Sequence, residues 1–170
     1  AILGKILADG GGANRIADTL IDTFGQKHVQ WAMLIAAFIV GIALFFEVGL
    51  VLLIPLVFTI AKRAKVSPLK LGLPMVTALS VTHGFLPPHP GPVVIAKELK
   101  ANIGHVLLYG IIIAIPVTLI AGPIFNIVAQ KLIPSAYTRE GDISALGSQK
   151  EFKASEMPSF GLSILTAVLP

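Results

Sequence analysis

The 170-residue sequence contains no cysteine and few charged residues. Without cysteine, the chain can form neither a disulfide framework nor a thiolate metal site. Charged residues make up 13% of it, little more than half of the ~25% typical of soluble globular domains. Three segments, 31–61, 71–96 and 105–130, comprise 83 residues with a single charge, and the other 87 residues hold the remaining 21. Long apolar blocks separated by short charged segments are typical of a membrane protein that crosses the bilayer several times.

Lys and Arg outnumber Asp and Glu by 13 to 9, which gives a net charge of +4. In a soluble protein this excess could indicate nucleic-acid binding, but in a membrane protein it indicates cytoplasmic loops. We therefore expect a lipid bilayer around the chain and no nucleic-acid partner. The sequence starts at Ala1 without an initiator methionine and stops at Pro170 inside an apolar run. We expect a single membrane-domain fragment, 1–170, of a longer protein.

Segment 13–25 has the pattern of a short amphipathic helix. Ile16, Leu20 and Phe24 recur every four residues, and polar side chains take the other side. The pattern predicts a helix that lies at the membrane interface and ends at Gly25.

The apolar segment 31–61 is too long for one comfortable crossing. A straight helix of this length would measure ~46 Å, whereas the hydrocarbon core of a bilayer is ~30 Å thick. Two arms of ~15 residues, folded back at the FFEVG sequence around Glu47, would each reach ~22 Å. Basic residues flank the segment on both sides, such as Lys27 and Lys62, and the positive-inside rule favours placing both ends on the cytoplasmic side. We therefore favour a re-entrant helical hairpin over a single tilted crossing.

The rest of the chain completes an all-α polytopic membrane protein. Pro116 and Pro123 are expected to bend the transmembrane helix in which they lie. The segments predicted are a broken transmembrane helix, a further transmembrane helix, a cytoplasmic loop and the start of the next span: 71–96, 105–130, 131–159 and 160–170.

The sequence THGFLPPHPGP, residues 82–92, causes the predicted break. Its four prolines lack amide hydrogens and disfavour helix in the residues before them, so no continuous helix can pass. The freed carbonyl groups would be costly if they faced lipid, and irregular backbone at membrane depth is tolerated only inside protein or beside a water-filled cavity. Secondary transporters hold their substrates at such broken helices. We expect the segment to line a cavity, where the N-terminus of a half-helix suits a carboxylate.

Polar and flexible residues on both sides of the break are the candidate substrate-binding residues. Histidine titrates near neutrality, so the two imidazoles could carry a coupled proton or bind substrate hydroxyls. The alternative is that one or both only satisfy the freed carbonyl groups. The candidates in this segment are Ser80, Thr82, His83, Gly84, His89 and Gly91.

Glu47 is the one charged residue in the apolar segments. A charged side chain at membrane depth costs ~2.5–3.5 kcal/mol on insertion scales, so we expect Glu47 to have a use. At the hairpin tip it could meet the broken helix. There it could take up a proton, or bind substrate by accepting hydrogen bonds from a polyol. With His83 and His89 it forms the set of candidate proton-coupling residues. The alternative is a structural hydrogen bond to the amides of the tip.

A metal site is the weaker interpretation of the same residues. The two histidines lie six residues apart, which does not match an HExxH motif, and the third ligand would have to be Glu47. We therefore predict no metal, no cofactor and no catalytic residue.

A family resemblance lies in three stretches: GIALFFEVGLVLLIPLVFTIA, ALSVTHGFLPPHPGP and LLYGIIIAIPVTLIAGP. With MPSFG near Met157, they closely resemble the gluconate permease family of gluconate:proton symporters. The resemblance implies a fold of two inverted repeats, each with a hairpin and a broken helix, of which this chain would hold about one half. It also implies proton-driven uptake of gluconate or a related sugar acid by a multi-pass protein of the bacterial inner membrane.

Two other classes stay open beside the symporter. One is a membrane-embedded metal-dependent enzyme, although the sequence contains no HExxH or GxSxG motif. The other is a passive anion channel. The partners expected of a symporter are gluconate or a related small carboxylate, and protons; a homo-oligomer is left open.

Overall fold

The computed structural model describes residues 10–138, 152 and 156–168. No strand occurs among these residues, which confirms the predicted all-α class. The helices are α1 (Gly12–Ala43), α2 (Phe46–Ala64), α3 (Pro68–Phe85), α4 (Pro90–Glu98), α5 (Ile103–Leu119), a π-helical turn (Ile120–Ile124), α6 (Phe125–Leu132), α7 (Pro134–Tyr137) and α8 (Phe160–Val168).

Helices α1 and α2 form an antiparallel pair joined by Leu44 and Phe45. An ion pair between Asp18 of α1 and Arg63 of α2 ties their outer ends together. Apolar side chains of both helices are buried in one core. The chain therefore reverses direction at Leu44–Phe45, within the predicted segment 31–61.

Both helices are longer than the predicted arms of ~15 residues. α1 is kinked at Gly25, whose φ of 72° favours glycine, so the predicted helix end is a change of direction between two helical segments. After the kink α1 runs from residue 26 to Ala43, and α2 has 19 residues, so these arms measure about 27 and 28 Å. The helices extend because Lys27 and Lys62, at the flanks of the apolar segment, are good helix formers with exposed side chains.

Helix α3 packs against α1, α2 and α5. Its end lies beside α5. Leu86, the C-cap residue of α3, packs so closely against Gly110 that a Cβ atom added there would come within 2.8 Å of the Leu86 side chain. Its start lies beside α6, where the Asn126 side chain donates a hydrogen bond to the Lys70 carbonyl at 2.9 Å. Tyr137 of α7 donates in turn to Asn126 at 2.6 Å. The helical stretch from α5 to α6 therefore runs antiparallel to α3.

Two stretches of the described chain, Pro68–Glu98 and Ile103–Leu132, are long and apolar enough to cross a membrane. They extend two or three residues beyond the predicted segments 71–96 and 105–130 at each end. The second stretch exposes many large apolar side chains, such as Ile112, which is 58% exposed.

The C-terminal part of the prediction is covered only in part. Most of segment 131–159 lies outside the described residues, and its described portion includes α7. Segment 160–170 begins with α8, which packs against α1. The side chain of Arg15 donates a hydrogen bond to the Pro158 carbonyl at 2.9 Å, which holds the approach to α8 near the start of α1.

Candidate functional site

The proline-rich helix breaks where the sequence predicts. Leu86 still donates its amide to the Thr82 carbonyl at 3.0 Å, but Pro87 and Pro88 have no amide with which to continue the ladder. His89 follows as the N-cap residue of α4, with φ −59° and ψ 143°. Leu86, Pro87 and His89 are buried. Much of the irregular backbone is therefore covered by protein, as the cost of unpaired carbonyl groups requires.

The two histidines that flank the break lie side by side. Their ring centroids are 4.7 Å apart. Phe45, from the connection between α1 and α2, contacts both rings edge-on, at 6.0 Å from His83 and 5.9 Å from His89. The turn of the helical pair and the break of the next helix thus meet at three rings, Phe45, His83 and His89, which we call the ring cluster.

His89 is held by a hydrogen bond to the end of α1. Its side chain is 4% exposed, and its Nε2 lies 2.7 Å from the Gly41 carbonyl oxygen. Because a carbonyl oxygen can only accept, Nε2 carries a hydrogen and donates it. Gly41 lies in the last turn of α1, where carbonyl groups have no partner within the helix. His89 therefore satisfies a free carbonyl group, as in the structural alternative given above for the two imidazoles. The carbonyl belongs to the end of α1, however, and not to the broken helix.

Gly41 also allows α1 and α3 to touch. A Cβ atom added to it would overlap the Thr82 hydroxyl, so a side chain at this position would push the two helices apart. Thr82 is fully buried, and its hydroxyl lies 2.9 Å from the Ala78 carbonyl and 3.0 Å from the Leu79 carbonyl. The hydroxyl predicted to bind substrate is thus turned toward its own helix.

His83 is the more exposed histidine of the pair, and it accepts a hydrogen bond. The amide of Phe46, the first residue of α2, donates to Nδ1 over a long distance of 3.5 Å. This geometry requires the tautomer in which Nδ1 carries no hydrogen, so that the hydrogen of the neutral ring lies on Nε2.

Two helix N-termini meet at the ring cluster. Phe45 is the N-cap residue of α2 and His89 that of α4, and neither side chain caps the helix that follows it. Unpaired amides in the first turn give a helix start a partial positive charge, although in the first turn of α4 Gly91 alone has an amide hydrogen, because Pro90 and Pro92 have none. Two such starts beside two imidazoles form an environment that suits an anion such as a carboxylate.

The other predicted site residues are exposed. Glu47 lies in the first turn of α2, and its carboxylate makes no hydrogen bond or ion pair within the described part of the chain. Ser80, Gly84 and Gly91 lie on exposed faces, with open space around the two glycines. The structure thus brings Thr82, His83 and His89 to the turn of the helical pair. The other four candidates lie at the surface: Glu47, Ser80, Gly84 and Gly91.

Two residues of the site are absent from the sequence-based candidates. Phe45 contacts both histidines, and the Gly41 carbonyl holds one of them. A signal existed for Gly41, because glycine inside a helical pattern is unfavourable unless packing requires it. The role of Phe45 depends on tertiary contacts, which an apolar run does not reveal.

The residues do not assemble a metal centre. Within residues 10–138 and 156–168, no three His, Asp or Glu side chains come close enough together to hold a metal ion. The arrangement with Glu47 as a third ligand beside the two histidines is therefore not formed, which disfavours the metal-dependent enzyme.

A family model settles the class of protein. The model of GntP family permeases matches residues 1–170, the entire chain. The chain belongs to the GntP permease family. The resemblance drawn from the sequence motifs is confirmed, and this is a family of permeases rather than of enzymes.

Individual relatives support the same family. The chain is 62% identical over 170 residues to a gluconate permease of Bacillus subtilis and 55% identical over 173 residues to a high-affinity gluconate transporter of Escherichia coli. It is 52% identical over 170 residues to the Gnt-II system L-idonate transporter of Escherichia coli. Each alignment covers 100% of this chain but only 37 or 38% of the relative, so the chain spans little more than a third of these proteins. No solved structure matches the chain.

Proposed function

We propose that the chain forms part of a secondary active transporter that takes up gluconate or a related sugar acid, together with a proton, across a bacterial inner membrane. The observation that carries this proposal is the 62% identity over the whole chain to a protein named gluconate permease. The relative named as an L-idonate transporter, at 52% identity, extends the proposed substrates from gluconate to other sugar acids.

The topology we propose is a membrane hairpin followed by two crossings. The α1–α2 pair enters and leaves on the cytoplasmic side as a re-entrant hairpin, and the segment before Gly25 lies at the interface. In support, Lys27 and Lys62 lie exposed at the outer ends of the pair. The broken stretch Pro68–Glu98 and the stretch Ile103–Leu132 then cross the bilayer, and the whole forms one half of an inverted-repeat fold.

The substrate site in this proposal is the ring cluster. The carboxylate of the sugar acid faces the starts of α2 and α4, where the partial positive charge of two helices adds to the Nε2–H donor of His83. Glu47, Ser80 and Gly91 are exposed on α2, α3 and α4, and in this proposal they offer hydrogen bonds to the sugar hydroxyls. The buried Thr82 contributes by fixing the contact between α1 and α3.

The charge of the substrate determines how much net charge a proton-coupled transport cycle moves. A sugar acid with one carboxylate is a monoanion near neutral pH, so its transport with one proton moves no net charge. We therefore expect a pH gradient to drive uptake, while a membrane potential alone has no effect. His83, His89 and Glu47 are the candidate carriers of this proton.

The test is uptake of radiolabelled gluconate by the complete permease in proteoliposomes. With the outside more acidic by about one pH unit, internal gluconate should reach about ten times the external concentration, since 1.4 kcal/mol corresponds to a factor of ten. Glucose, which lacks the carboxylate, should not be taken up, and unlabelled L-idonate should compete. Uptake that ignores the pH gradient would reject proton coupling, and uptake that stops at equal concentrations would indicate a passive channel.

A further inference from the structure

The two histidines of the ring cluster have opposite hydrogen-bonding roles. His89 donates through Nε2 to the Gly41 carbonyl at 2.7 Å, whereas His83 accepts at Nδ1 from the Phe46 amide at 3.5 Å. The two rings therefore respond differently when a proton is added, although they lie 4.7 Å apart.

Adding a proton to His89 leaves its structural contact intact. Its Nε2 already carries the hydrogen that it donates to Gly41, so an added proton can bind only at Nδ1. The bond to the carbonyl of Gly41 is the same donor–acceptor pair before and after. A charge on His89 thus has no direct means of changing how α4 is attached to α1.

Adding a proton to His83 has a structural consequence. The free lone pair of the neutral ring is on Nδ1, and an N–H bond formed there removes the acceptor for the Phe46 amide. The start of α2 then loses this hydrogen bond to the end of α3. A ligand can shift a conformational equilibrium only if it interacts differently with the two states, and a proton on His83 meets this condition.

We propose that His83 takes up the coupled proton and that His89 is a positioning residue, which keeps the break attached to the end of α1. This inference rests on the proposed function. The proton comes from water on the outer side and forms the Nδ1–H bond, and the resulting imidazolium pairs with the carboxylate of the sugar acid. Release of the proton to cytoplasmic water restores the neutral ring and its hydrogen bond to Phe46.

The surrounding charges are compatible with one proton at the pair. Two imidazolium rings at this separation would repel each other. Helix α1 contributes no titratable side chain from Trp31 to Ala43. The other titratable groups on the elements packed here are Glu47 in the first turn of α2, Lys97 and Glu98 at the far end of α4, and the exposed His105 and Tyr109 of α5. At the opposite ends of α2 and α3 lie Lys62, Arg63 and Lys70.

The test replaces each histidine with a side chain that keeps its hydrogen bond and cannot titrate. In His83→Asn, the amide oxygen can occupy the place of Nδ1 and accept from Phe46. In His89→Gln, the amide nitrogen can occupy the place of Nε2 and donate to Gly41. His105→Gln, at an exposed histidine outside the ring cluster, is the matched control. Each variant is made in the complete permease and measured in two assays, accumulation of gluconate driven by a pH gradient and exchange of gluconate without a gradient.

We expect His83→Asn to exchange gluconate at raised substrate concentration while its accumulation ratio falls about tenfold, to unity, under a gradient of one pH unit. His89→Gln, whatever its rate, should still accumulate gluconate in response to the gradient, as should the control. In weakly buffered detergent solution, gluconate binding should draw about one proton into wild type and His89→Gln, and none into His83→Asn.

Three results would overturn the assignment. They are accumulation by His83→Asn with a wild-type response to pH, loss of that response in His89→Gln alone, and failure of His83→Asn to bind or exchange gluconate at any concentration. The last result would make His83 a residue required for binding rather than the proton carrier. If wild-type permease does not exchange gluconate, the proposed function itself is wrong. This result differs from the three above, which all concern the histidine variants of an active permease.

Discussion

The two stretches long enough to cross a membrane both contain prolines, but they respond to them differently. In Pro68–Glu98 the prolines at 87, 88, 90 and 92 fall within six residues, and the helix stops from Leu86 to His89. In Ile103–Leu132, Pro116 and Pro123 lie seven residues apart, and the helix continues through a π-helical turn that contains Pro123. A helix can continue when one amide is missing every two turns, but not when several amides in succession are missing.

The surroundings of the two stretches differ as well. The broken stretch meets the turn of the α1–α2 pair through the ring cluster and the Gly41 carbonyl. The continuous stretch exposes large apolar side chains along most of its length. The comparison indicates that a break at membrane depth needs neighbouring elements to cover it, and that polar and titratable groups collect where those elements meet.

Removing prolines should have the largest effect, and only in the broken stretch. Replacing Pro87 and Pro88 with alanine restores two amides and lets α3 extend toward Pro90, which moves His89 away from Gly41. We expect gluconate affinity of the complete permease to fall by more than about tenfold, a loss above 1.4 kcal/mol. The matched change Pro123→Ala should leave affinity close to wild type, because the helix is already continuous there. Equal losses in both variants would contradict the comparison.

A methyl group at Gly41 should have the next largest effect. Gly41→Ala drives a Cβ atom into the Thr82 hydroxyl, and overpacking of this kind costs about 1–3 kcal/mol of unfolding free energy. In the control Gly72→Ala, the nearest side-chain atom, Cγ1 of Val57, lies 3.8 Å away, so we expect no loss. Thermal unfolding of the detergent-purified permease measures both, and a Gly41→Ala protein as stable as Gly72→Ala would show that α1 and α3 do not pack closely here.

The smallest effects should come from the buried threonines, with opposite signs in the two stretches. Thr82→Val removes a hydroxyl that bonds to the Ala78 and Leu79 carbonyls, and should destabilise the protein by about 0.5–1.5 kcal/mol. The Thr118 hydroxyl in the second stretch is buried and has no partner among the described residues. Thr118→Val should therefore be neutral or stabilising by about 1 kcal/mol. Destabilisation of equal size in both variants would place an unseen polar partner, such as water, at Thr118.

The break and the chain reversal are the features most accessible from sequence. Proline chemistry is local, so PPHP predicts an interruption without knowledge of the fold. The turn at Leu44–Phe45 lies close to the predicted FFEVG sequence, because an apolar segment of that length has few other ways to fit. The helix ends were less accessible, since helix continues into polar flanks such as Lys62 wherever solvent can take the side chain.

The contacts of the site could not be derived in the same way. The bond between His89 and Gly41 joins residues 48 positions apart, and no periodic pattern encodes it. Glu47 stood out in the sequence because a buried charge is costly, yet its side chain is exposed in the described chain.

The central claim is that the sugar acid binds where the hairpin turn meets the break, and protection of a single cysteine tests it most directly. Gly91→Cys, in a permease otherwise free of cysteine, places a thiol in open space at the start of α4, and Gly161→Cys places one in open space on α8. Gluconate should slow alkylation at position 91 in a saturable way and leave position 161 unaffected. If saturating gluconate leaves alkylation at position 91 unchanged, or slows both positions equally, the substrate does not bind at the ring cluster.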